Sequence, residues 1–113
     1  MTHVKVHTSE VAYVSIGNSD DHLSQSEWAE FCKRFLEDCQ IHAKQVYGVW
    51  YSLPDSPFQN MCVGAEWLYP DDFKERLRSL AFRFKQDSIA YAPVILTEFV
   101  SSRFSSPERT EKP

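Results

Sequence analysis

Three short polar segments hold most of the side chains that could bind or react. The first is Asn18, Ser19, Asp20, Asp21 and His22. The second runs from Ser52 through Asp55, Ser56, Gln59 and Asn60. The third is Gln86, Asp87 and Ser88. Carboxamides, carboxylates and hydroxyls of this kind hydrogen-bond polar molecules. Asp20 and Asp21 with Asp87 also form a set of hard oxygen donors suited to a divalent cation such as Mg²⁺. The same residue types build Asx turns and helix caps. No nucleophile–base pair accompanies them. His3, His7, His22 and His42 show no metal-ligand spacing. Three glycines in the whole chain leave no phosphate-cradling glycine loop, and G-x-S-x-G is absent. No cofactor and no metal are expected from these patterns.

The elements that position these segments can be read from periodicity. Residues 11–16 are β-prone, with Val4 and Val6 either extending that strand or forming a separate piece. Asn18 to Asp21 then favour a turn. Ser24-Gln25-Ser26-Glu27 is a capping box, with Leu23 and Trp28 placed as a hydrophobic staple. Trp28, Phe31, Cys32, Phe35, Leu36 and Cys39 follow at helical spacing and predict one apolar stripe to about His42. Residues 46–53 and 60–68 read as two strands joined through a turn at 54–57. Pro70, Asp71 and Asp72 open a second helix, whose buried stripe is Phe73, Leu77, Leu80, Ala81 and Phe84. Residues 89–100 read as a last strand, which Pro93 confines to an edge or a bulge.

The order β-α-β-β-α-β predicts a ferredoxin-like α+β domain. Right-handed crossovers give an antiparallel sheet of order 4-1-3-2 with both helices on one face. Residues 1–100 form the single domain and 101–113 a flexible tail. In this topology all three polar segments meet at one end of the sheet. There the start of the first helix offers free amides to an anion, and Trp50 or Phe58 offers a stacking wall.

Composition limits the partners. The net charge is −4, which argues against a broad nucleic-acid face. Tyr13, Trp50, Tyr51 and Trp67 are candidates for either face of the sheet; on the helix-free face Lys and Arg are scarce around them, so an RNA platform is disfavoured. That face is instead expected to bury against a second copy in a homodimer. Cys32, Cys39 and Cys62, an odd number without framework spacing, read as reduced thiols in a cytoplasmic protein. No apolar run approaches the ~20 residues of a membrane span, so no membrane partner is expected.

Three stretches together carry a resemblance: residues 15–21 (Ser-Ile-Gly-Asn-Ser-Asp-Asp) with Leu23, Ser24, Glu27 and Trp28; Ser52 through Gln59 and Asn60; and Gln86, Asp87, Ser88, Ile89 and Ala90. Over residues 11–100 the chain resembles a group of small uncharacterised bacterial and phage-encoded proteins. The resemblance implies a self-contained domain and carries no activity with it. Phe58 and Met61 stand where that group is expected to have Trp and Ala.

The expectation is a non-catalytic module that binds a small polar molecule, nucleotides included. Asn18, Ser19, Asp20, Asp21, Ser52, Gln59, Asn60, Asp87 and Ser88 are the candidate polar contacts, with Trp50 or Phe58 stacking. One alternative is a phage-type inhibitor or accessory factor that covers a host protein. Another is a small metal-dependent enzyme using Asp20, Asp21 and Asp87.

Overall fold

The computed structural model describes residues 8–18, 21–53 and 56–102. The predicted Val4–Val6 piece, Ser19, Asp20, Pro54, Asp55 and most of the predicted tail lie outside them. The elements are β1 (Ser9–Gly17), α1 (Gln25–His42), β2 (Ala43–Tyr51), β3 (Asn60–Leu68), α2 (Pro70–Arg83) and β4 (Ala90–Pro93). The strands form one antiparallel sheet of order β2-β3-β1-β4, the predicted order read from the other edge.

Strict alternation on the two central strands sets the core. Ala12, Val14 and Ile16 of β1 and Met61, Val63, Ala65 and Trp67 of β3 are buried. Onto that face pack Phe31, Phe35 and Cys39 of α1 and Phe73, Leu77 and Leu80 of α2. Trp67 stacks on Phe73 with ring centroids 4.3 Å apart, and its indole N–H donates to Ala12 O at 3.0 Å. The largest core side chain thereby satisfies its one polar group. Between the helices, the buried Asp38 carboxylate meets the Arg76 Nε at 3.1 Å.

The helix ends follow local chemistry. The Ser24 hydroxyl accepts from the Glu27 amide and Glu27 Oε1 accepts from the Ser24 amide, so the predicted capping box is complete. Leu23 is buried and Trp28 packs on the core beside it. At the end of α2, Lys85 adopts φ 57°. The Gln86 amide donates to Ala81 O and the Lys85 amide to Phe82 O, the paired bonds of a Schellman motif.

Three expectations need correction. No loop separates α1 from β2: Ala43 is extended immediately after His42, so residues 43–45, read in sequence as lying between helix and strand, belong to β2. β2 therefore covers Ala43–Tyr51 and not 46–53. The last strand is four residues rather than twelve. Pro93 stands at its final position, the Val94 amide makes one more bond to Val11 O, and residues 95–100 then leave the sheet.

Candidate functional site

The strand register brings the three polar segments to one end. Gly17 pairs with Asn60, Tyr51 with Met61, and Ser15 with Ala90. The loops after β1, between β2 and β3, and before β4 must therefore leave the sheet on the same side.

Two of these loops are bonded to each other. The Asn18 amide donates to Gln59 O at 3.1 Å. The Asn18 Nδ2 donates to Gln59 Oε1 at 2.9 Å and to Leu23 O at 3.0 Å, while its Oδ1 accepts from the Leu23 amide at 2.9 Å. Gln59 also exchanges bonds with Gln25 of α1: its Nε2 donates to Gln25 Oε1 at 2.9 Å and its Oε1 accepts from Gln25 Nε2 at 3.3 Å. Both donor hydrogens of the buried Asn18 carboxamide are engaged, so it acts as an internal strut. Asp21, at φ 57°, donates its amide to Asn18 O and shapes the turn. The Ser52 hydroxyl accepts from the Asn60 amide at 3.2 Å, closing the base of the hairpin loop. At the start of α1, expected to offer free amides to an anion, the Glu27 amide is taken by the Ser24 hydroxyl and the Ser24 amide by the Glu27 carboxylate.

The expected stacking wall is dispersed. Trp50 pairs with Cys62 and lies 6.0 Å from Tyr13 on the sheet face away from the helices. Phe58 is 74% exposed at the hairpin tip. Tyr13 shares the open face, whereas Trp67 is in the core.

Asp87 and Ser88 lead into a concavity. A groove of about 470 Å³ runs between α2 and β4 from this pole, lined by Lys74, Leu77, Arg78, Asp87, Ser88 and Tyr91 among others. Its floor is mainly apolar and its rim carries both signs of charge. Lys74 Nζ sits 4.7 Å from the centre of the Tyr91 ring. The Tyr91 hydroxyl donates to Glu10 Oε2 at 2.7 Å. Burial first, and then that hydrogen bond, push its phenol well above the usual range. Arg78 is ion-paired with Glu75 of its own helix.

Lys74, Arg78 and Tyr91 were not among the sequence candidates. Their signal was weak: Tyr91 is the one large residue between Ala90 and Ala92, so it had to face the helices if β4 covered the core. Among the described residues, no three His, Cys, Asp or Glu side chains come together. Cys32 and Cys39 face the core as expected, and burial raises the Cys32 thiol to about 11. No described helix is long and apolar enough to cross a membrane.

No protein-family model matches the chain, and no curated protein matches it. Among solved structures, the chain is similar to the hydroxynitrile lyase from Passiflora edulis, at 15% sequence identity. The alignment covers 80% of this chain and 96% of that one, with a TM-score of 0.47.

Proposed function

We propose that this chain is a ferredoxin-like, non-catalytic binding module that holds a small polar ligand where the α2–β4 groove opens at the polar pole. The observation that carries the reading is the groove itself. A volume of about 470 Å³ falls in the usual size range of small-molecule sites, ~300–1,000 Å³, which combine an apolar lining with a few placed polar groups.

The lining has the chemistry for a nucleotide-like molecule. Leu77, Ile89 and the Tyr91 ring form an apolar wall for a flat ring system. Lys74 and Arg78 bring positive charge for a phosphate or carboxylate. Asp87 and Ser88 stand at the mouth, where they accept from ring amines or sugar hydroxyls. The Asn18–Gln59–Gln25 network contributes by holding the loops of this pole in place rather than by touching the ligand.

The test is a thermal-shift and calorimetric titration with nucleoside mono- and diphosphates. A ligand at 100 times its dissociation constant adds ~2.7 kcal/mol to stability. The expected result is a shift with at least one nucleotide that is lost in both Lys74→Ala and Asp87→Ala. The reading fails if millimolar nucleotides produce no shift, or if either variant keeps the full wild-type shift.

A further inference from the structure

Among the described residues, nothing covers two apolar surfaces, the helix-free face and the chain beyond β4. On the face, the Tyr13 and Trp50 rings lie over glycines that pair across β2 and β3. A Cβ on Gly64 would fall 2.6 Å from the Tyr13 ring, and one on Gly48 2.9 Å from the Trp50 ring. The two rings are thus laid down against bare backbone, one 44% and the other 51% exposed. Beyond Pro93, Ile95, Leu96, Phe99 and Val100 are each at least 78% exposed. This arm reads as strand in sequence yet has no strand beside it among the described residues.

A third feature completes the set. β2 is an edge strand of nine residues with no neighbour on its outer side among the described residues. A long uncovered edge is a template for another strand.

We propose that these features close against a second copy of this chain about a two-fold axis. The open faces meet, and the arm of each copy pairs along the outer edge of β2 of the other. The occupant follows from the arithmetic of edges. Among the described residues one chain carries one free apolar arm and one long free edge, β2, on opposite sides of its sheet; the other edge, β4, is only four residues long. A two-fold copy fills both pairs at once, as a self-complementary interface requires. Within one chain the arm cannot do so. Crossing the sheet from β4 to beyond β2 takes four inter-strand spacings, ~19 Å at ~4.8 Å each, most of the ~23 Å that seven extended residues span. Too little would remain to pair.

The area also fits. With aromatic side chains at ~150–250 Å² each, the exposed parts of Tyr13, Trp50, Phe99 and the arm aliphatics total on the order of 800 Å². That is about what each partner contributes to a standard stable interface. The groove between α2 and β4 lies on the helix side, so this association and the ligand reading stand or fall separately.

The test is sedimentation equilibrium on the full chain, with hydrogen exchange across β2. The expected mass is twice 13.2 kDa, with β2 amides protected. Leu96→Asp and Phe99→Asp should each fall to 13.2 kDa with unchanged helical circular dichroism and faster exchange in β2. Phe82→Asp, at an 86% exposed position on α2, should keep the dimer. Thr97→Pro, which removes an arm amide and fixes the backbone there without adding a charge, should also lose it. If either Asp variant disturbs the helical signal, this proline variant decides in its place. A wild-type chain of single mass at about 100 μM, an assembly larger than two, or a dimer that survives the arm substitutions would each overturn the proposal.

Discussion

Asn18 and Gln59, 41 residues apart, are joined twice: backbone to backbone at 3.1 Å and carboxamide to carboxamide at 2.9 Å. The loop after β1 and the loop before β3 therefore move as one unit, and α1 is tied to them through Gln25.

Replacing Asn18 with Ala should leave the Leu23 amide and carbonyl without their partner next to the core. Stranding buried polar groups costs about 1–3 kcal/mol. Urea unfolding followed by tryptophan fluorescence should show that loss with little change in m-value. Gln25→Ala, which removes only an exposed exchange, should cost less than half as much.

The capping box should make stability depend on acid. The Ser24 amide and hydroxyl hold the Glu27 carboxyl below its ordinary 4.5. A carboxyl depressed by folding stabilises the protein above its unfolded pKa, and that contribution fades as pH falls through the carboxylate range. The difference in urea midpoint between the wild type and Glu27→Gln should shrink between about pH 6 and pH 3. Ser24→Ala should cost about 1 kcal/mol at neutral pH.

Lys85 occupies the left-handed position that closes α2. A side chain there pays a backbone cost that glycine avoids. Lys85→Gly should raise stability by about 0.5–1 kcal/mol, read as a higher melting temperature in calorimetry. Lys85→Val should lower it.

Tyr91 should impose the opposite pH dependence. Its phenol is raised above the ordinary 10.0, so its contribution is fully present below pH 10 and declines as pH rises beyond that. Ultraviolet titration should show a phenol ionising well above pH 10, and Tyr91→Phe should remove that step. Stability of the wild type relative to Tyr91→Phe should begin to fall as pH rises past about 10 and go on falling above it.

Much of this architecture was legible in the residues. The Ser24–Glu27 cap, the Trp28-to-Cys39 stripe, the Phe73-to-Phe84 stripe and the alternation of β3 are local codes. Each is written by side chains within a turn or two of one another. From their order alone, the sheet order and the meeting of three loops at one end followed. β2 resisted the same treatment. Register shifts between Ala43 and Gln45 and between Val46 and Gly48 reset its alternation, so no count of residues could assign Trp50 to the open face.

The limits have one physical origin. Strand propensity is a property of a segment, but a strand exists only beside another. Residues 94–100 are as β-prone as β3, yet only Val94 reaches β1 and the rest run on exposed. Hydrogen-bonding capacity is likewise visible in a residue type, while its use depends on what arrives from elsewhere. Sequence alone determined that Asn18, Gln59 and Asp87 would share one pole. Only the tertiary structure decided that Asn18 and Gln59 bond to each other while Asp87 opens onto the groove of Lys74 and Tyr91. Those pairings join residues dozens of positions apart, and only packing of the helices on the sheet sets their distances.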